Sequence, residues 1–184
     1  MPYSPAHKAQ TRQRIVDTAR ILFNREGFSE VSIDRIMQEA GLTRGGFYNH
    51  FRTKDELYGA TVASFLNGRG KDWRDAAGVD PVNGGPETLR AMIESYLSAE
   101  HLGDLDGQCP MIALPSDAAR ASDEVRDAYT DLLNAMVWLF ETNAPPAPNA
   151  HAKALSLAAM CVGGVVLART VNGATLATEI RTAA

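Results

Sequence analysis

Apolar residues recur at three- and four-residue intervals along almost the whole chain, and no segment alternates with the period of two that a strand requires. The pattern therefore predicts an all-α protein of about nine helices. Its most informative stretch is Ser32 to Phe51, SIDRIMQEAGLTRGGFYNHF. Ser32 is a good N-cap, and Ile33, Ile36 and Met37 share one helical face. Ala40-Gly41 ends that helix where a turn between packed helices needs a positive φ. Thr43 then caps a second helix from Arg44 to His50, with Leu42, Phe47 and Phe51 turned inward. Two short helices joined this way form a helix-turn-helix, a unit whose second helix lies in the DNA major groove.

Around this unit the rest of the chain falls into place. Ser4 and Pro5 read as cap and first residue of a helix running to about Arg25, after a short arm at the N-terminus. Ile15, Ala19, Leu22 and Phe23 are spaced to pack, and Arg12, Arg14 and Arg20 to face solvent. Gly27 stops this helix, and Phe28 and Val31 return to the same core. Thr53 to Glu56 has the form of a capping box, opening a helix expected to reach about Trp73. Gly78 to Pro86 is a linker. Helices follow over about 87–101, over 109–120 with a kink at Pro115, over 123–141 behind a Ser122 cap, over 151–169, and over 174–181.

The joint pattern in TRQRIVDTARILFNREGFSEVSIDRIMQEAGLTRGGFYNHFRTKDELYGATV resembles the N-terminal domain of the tetracycline-repressor (TetR) family. The resemblance rests on Ile21-Leu22-Phe23, Gly27-Phe28, Ile33 with Ile36, Ala40-Gly41-Leu42, Gly46-Phe47-Tyr48, His50-Phe51 and Lys54. It covers roughly the first third of the chain. It implies an all-helical homodimer that binds a palindromic operator on double-stranded DNA and is released by a small-molecule effector, with a tilt of the 53–73 helix moving the headpiece. On this reading residues 1–54 form the DNA-binding domain, and residues 55–184 the ligand-binding and dimerisation domain.

Charge agrees with that division. Through Lys54 there are nine Lys/Arg against five Asp/Glu, and beyond it nine against seventeen, which together give the net charge of −4. A basic head on an acidic body suits a protein that meets phosphates at one end. Two cysteines are too few for a disulfide framework, and the apolar run from Leu155 to Ala168 is read as too short to span a bilayer. A cytoplasmic protein without membrane partners is the expectation.

The candidate DNA contacts are Ser32, Thr43, Arg44, Gly45, Gly46, Tyr48, Asn49, His50 and Lys54. Arg44 is the one long donor in the first turn of the recognition helix and suits a guanine edge. The glycine pair lets the backbone approach closely, and the resemblance places Lys54, at a helix N-terminus, beside a phosphate. Tyr48 and His50 either reach phosphates or merely close the headpiece core.

In the body, Phe65, Trp73, Met92, Tyr96, Cys109, Met111, Met136 and Trp138, with Phe140, either line an adaptable apolar pocket or are ordinary core. Cys109 at a helix start is either a thiol of lowered pKa, able to sense electrophiles, or a small buried residue. Leu157, Cys161, Gly164, Val165 and Ala168, with Ala158, form a small-residue stripe that either builds the dimer interface or threads the monomer core. His101, Asp104 and Asp106 lack a fourth ligand at a telling spacing, so no metal is expected. No cofactor is expected, and no nucleophile–base pair points to an enzyme. Two other readings stay open: a DNA binder without a small-molecule ligand, and a small-molecule-binding or enzymatic body whose headpiece has lost DNA affinity.

Overall fold

Ser4 accepts a hydrogen bond from the His7 amide at 3.2 Å, and Pro5 follows it as the first helical residue, so the chain starts its first helix at once. The structure, a computed structural model, describes residues 4–184, so of the arm expected over residues 1–6 the first three lie outside the described residues, while Ser4 caps α1 and Pro5 and Ala6 already belong to it. Twelve helical segments and no strand occur among those residues. They are α1 (Pro5–Glu26), α2 (Ile33–Glu39), α3 (Arg44–Phe47), α4 (Lys54–Asn67), α5 (Arg69–Ala76), α6 (Gly85–Tyr96), α7 (Ala99–Gly103), α8 (Pro110–Ala113), α9 (Pro115–Arg120), α10 (Asp123–Asn143), α11 (Ala150–Thr170) and α12 (Ala174–Ala183).

Three breaks turn the nine expected helices into twelve, and each has a local cause. The 53–73 helix divides at Gly68, which leaves the helical region at φ −107° and ψ −116°. A β-carbon on Gly68 would lie 2.9 Å from the Ser64 carbonyl, and one on Gly70 would meet Phe65 at 2.8 Å, so the close return of α5 needs both glycines. The 87–101 helix divides at Leu97, and Ser98 starts α7 by capping the His101 amide at 3.0 Å. Pro115 breaks the 109–120 helix outright rather than kinking it. Ser122 caps α10 by position alone, since its hydroxyl makes no capping bond, and the acids Asp123 and Glu124 supply the favourable charge.

Packing centres on α4, which lies along α10 and against α1. Ile15, Val16, Ala19, Leu22 and Phe23 of α1 meet Ile36, Met37, Phe47 and Phe51 of the helix-turn-helix and Leu57 and Tyr58 of α4 in one buried core. The same core continues through Val62 and Phe65 to α10 and, beyond it, α11. Phe28 is stacked on Tyr58 at 4.6 Å, and Phe23 meets Tyr58 edge-on at 5.4 Å.

A polar seam joins α1 to the loop at residues 104–108. Arg25 grips the Asp106 carboxylate with two bonds of 2.5 and 2.6 Å, and Arg20, expected in solvent, is half-buried and donates to the Asp106 carbonyl. Asn24 Nδ2 reaches the Gln108 carbonyl at 3.2 Å. From the other side Arg69 holds Asp104 at 2.5 Å, Asp104 accepts the Gly107 amide at 2.9 Å, and Arg169 of α11 donates to Gln108. The two aspartates of the imagined metal cluster are thus occupied by arginines. A side chain at Gly107 would run into Asp104 and the Arg69 guanidinium. Gly107→Ala is expected to destabilise the fold by about 1–3 kcal/mol. Gly103→Ala, which faces open space at the end of α7, is expected to be neutral or slightly stabilising. Thermal melting of the two variants checks the pair.

Candidate nucleic-acid interface and interior cavity

The headpiece presents one face built by three caps. Ser32 accepts the Arg35 amide at 3.1 Å to start α2, and Gly41 turns the chain at φ 66°. Thr43 then opens α3 with no capping bond of its own, so its hydroxyl stays available. Arg44 is exposed and held to Asp34 at 2.8 Å. A pair as exposed as this is worth about 0.2–1 kcal/mol, so little opposes a move of Arg44 to another acceptor. Neither glycine of the pair is required by the protein itself. Both keep negative φ; a β-carbon on Gly45 would face open space, and one on Gly46 would make only ordinary contacts at 3.7 Å. Their smallness serves the outside of the molecule.

Tyr48 is 57% exposed, with its ring edge-on to Phe47 at 5.2 Å, and Asn49 is exposed beside it. His50 is half-buried, and its Nδ1 is buried with no hydrogen-bond partner. Burial first, then the charges of Lys8 and Arg12, hold its pKa below the usual histidine value. A cleft of about 500 Å³ separates the start of α1 from α3, lined by His7, Lys8, Thr11 and Arg14 on one side and Thr43, Gly46, Asn49 and His50 on the other. Lys8 and Arg14 bring positive charge to the same face. The sequence reading missed Lys8 and left Arg14 merely solvated; the signal was the run of bases early in a helix whose fold partner was not yet placed.

Lys54 is turned inward, in disagreement with its expected place at a phosphate. Its ammonium donates to the Phe28 carbonyl and lies 4.2 Å from the centre of the Phe28 ring, and burial lowers its pKa. The lysine stem closes the α1–α4 core, and its charge satisfies a backbone carbonyl there. Near it the Glu56 amide donates to the Thr53 hydroxyl at 3.0 Å, and the Arg52 amide to the Glu56 carboxylate at 2.8 Å.

In the body, eight of the nine residues expected at a pocket line a single cavity of about 60 Å³: Phe65, Trp73, Met92, Tyr96, Cys109, Met111, Met136 and Phe140. Trp138 does not. It is 51% exposed on the far side of α10, because it sits two residues past Met136 and so faces away from it. Leu66, Gly70, Arg74, Leu132 and Leu139 complete the lining. Gly70 and Arg74 were illegible because they lie on α5, whose turn-back at Gly68 the periodicity did not reveal.

The sensor reading of Cys109 does not survive its surroundings. The thiol is buried, and burial pushes its pKa up to about 11. Cys161 is likewise buried and pushed up to about 11. The stripe expected at a dimer interface is also covered from within. Cys161, Gly164, Val165 and Ala168, with Ala158, are buried against the chain's own helices, and Leu157 is half-buried. Small residues there let α11 approach its own neighbours; a β-carbon on Gly164 would meet Leu97 at 3.3 Å. What α11 and α12 leave uncovered is a different face, with Leu155, Met160, Leu167 and Leu176 exposed. With that face counted, α11 is long and apolar enough, by length and composition, to cross a membrane, contrary to the expectation for its apolar run.

A basic face carrying a helix-turn-helix on an all-helical body defines the chain as a DNA-binding transcription regulator. Residues 15–61 match the sequence model for bacterial regulatory proteins of the tetR family. The HTH-type regulator TtgW of Pseudomonas putida is 32% identical over 96 residues, which are 52% of this chain and 67% of the relative. SrpR, also of Pseudomonas putida, is 33% identical over 96 residues, 52% of this chain but only 42% of its own length. The fold matches that of reduced E. coli NemR with a TM-score of 0.75 over 94% of this chain and 92% of that one, at 16% identity. The chain belongs to the TetR family of bacterial regulatory proteins.

The buried thiols give a direct check. At pH 8 a thiol of pKa about 11 is ionised more than about a hundredfold less than a free cysteine. Labelling of the native protein with a thiol reagent should be slower by at least that factor than labelling of the same protein in denaturant.

Proposed function

We propose that the protein is a ligand-responsive repressor that binds a palindromic operator as a homodimer and is released by a small apolar or aromatic effector. In this reading it acts in the cytoplasm, residues 1–54 read DNA, and residues 55–184 bind the effector and the second copy. The observation that carries it is the first turn of α3, where Thr43 and Arg44 stand beside a glycine pair that the protein's own packing does not need. Arg44 would trade Asp34 for a guanine edge. Tyr48, Asn49 and His50, with Ser32 and the added charges of Lys8 and Arg14, would take phosphates. Lys54 supports the face from behind through Phe28.

Dimerisation is supported by the uncovered apolar face of α11 and α12, a surface that rewards association. Two heads on one symmetry axis would meet two half-sites one helical turn apart. The effector would occupy the cavity between α4, α5, α6, α8 and α10. Expansion there would push on α4 and on the 104–108 loop, which ends one residue before the cavity residue Cys109 and which holds α1 through Arg20, Asn24 and Arg25. An effector that stabilises the displaced arrangement weakens DNA binding by its differential affinity for the two states.

Selection of bound duplexes from a random DNA pool at near-physiological salt should recover a palindrome, and enrichment no better than background sinks the reading. On the recovered site, Arg44→Ala is expected to cost about 1–3 kcal/mol and to relax one base preference in each half-site. Leu167→Glu, on the exposed apolar face, is expected to shift the dimer to monomer in analytical ultracentrifugation and to remove cooperative binding of the full site. A variant still dimeric at micromolar concentration would place the interface elsewhere.

A further inference from the structure

The cavity holds one polar feature that the protein does not explain. Tyr96 is buried on every side, yet its hydroxyl makes no hydrogen bond. The Cys109 thiol adjoins it but is a weak partner at best, without ordinary hydrogen-bond geometry. The hydroxyls of buried Thr61 and half-buried Tyr129 are paired: Thr61 donates to the Tyr58 carbonyl at 2.7 Å, and Tyr129 to the Met111 carbonyl at 3.3 Å. An unpaired buried hydroxyl is costly, and an entering molecule can relieve that cost.

We infer that the cavity takes a small, uncharged aromatic molecule bearing a single hydroxyl or carbonyl oxygen, which pairs with the Tyr96 hydroxyl. This rests on the reading of the body as an effector receptor and adds the chemistry that the receptor selects. Size comes first. At about 60 Å³ the cavity is smaller than the roughly 150 Å³ that accepts benzene in a protein interior. Its walls include Met92, Met111 and Met136, unbranched side chains that can turn aside to admit a ring. Trp73, edge-on to Tyr96 at 5.9 Å, offers that ring an aromatic wall.

Charge decides the rest. No carboxylate lines the cavity, so a cation would enter without a counter-charge. The one cation in the lining, Arg74, is half-exposed and gives Nη2 to the Leu66 carbonyl at 2.9 Å. Around the unpaired hydroxyl, burial keeps both Tyr96 and Cys109 in their neutral forms. A neutral ring with one oxygen satisfies the hydroxyl and strands no charge.

The test compares three probes of similar size, p-cresol, toluene and benzoate, by titration calorimetry on the full-length protein without DNA. The wild type should bind p-cresol and bind benzoate least. In Tyr96→Phe the ratio of p-cresol to toluene affinity should fall about tenfold, with toluene binding retained. Thermal melting guards the comparison: unliganded Tyr96→Phe should melt at or above the wild type, because the lost hydroxyl had no partner. An unchanged ratio, tighter binding of benzoate, no binding of either neutral probe at millimolar concentration, or a variant that melts several degrees lower would each overturn the inference. Because no DNA is present, these outcomes are separate from operator selection, whose failure would sink the regulator reading and leave the cavity's preference standing.

Discussion

Everything in this molecule depends on the burial of α4 between α1 and α10. Leu57, Tyr58 and Val62 have no exposed surface, and each belongs to a core shared by the headpiece and the body. Removing a fully buried side chain of this size typically costs 2–5 kcal/mol, a large part of a domain's whole stability. The helix-turn-helix, whose two helices have only seven and four residues, cannot hold itself together. It borrows its rigidity from α1 and α4, and so its position on DNA is set by where α4 sits.

That arrangement also explains how distant parts can influence one another. Phe65 lies on α4 and lines the cavity, three turns from the cap that adjoins the headpiece. The polar seam gives a second connection. Its centre, Gln108, is fully buried and bonded by Arg169 of α11, while the carbonyls on either side of Gly107 accept Asn24 of α1. Apolar packing supplies most of the cohesion here. The seam supplies direction, because hydrogen bonds and ion pairs fix the angle at which α1 meets the body. A residue such as Lys54 shows the same economy: its ammonium satisfies the Phe28 carbonyl, and its stem covers the aromatic cluster beneath.

The two faces of α11 carry opposite lessons about small residues. Glycine and alanine at close spacing do mark a tight helix contact, as expected, but the contact is with the chain's own helices. The larger apolar residues, Leu155, Met160 and Leu167, are the ones left in the open. Spacing identifies a close approach without identifying the partner.

What the sequence determined by itself was local: the helices with strong caps and periodicity, the Gly41 turn, the helix-turn-helix and the family. Those features follow from backbone sterics, capping and the repeat of apolar positions, all of which act within a few residues. Eight of the nine residues expected at the cavity do line it for a related reason, since large apolar residues on inward faces must meet somewhere. Only the tertiary structure decided the rest. It turned Lys54 toward Phe28, drew Arg20 and Arg25 onto a loop more than eighty residues away, excluded Trp138 from the cavity and raised the Cys109 pKa. Each of these depends on which group from a remote segment arrives beside the residue, and on how much water it displaces, and neither is written in the residue's own neighbourhood.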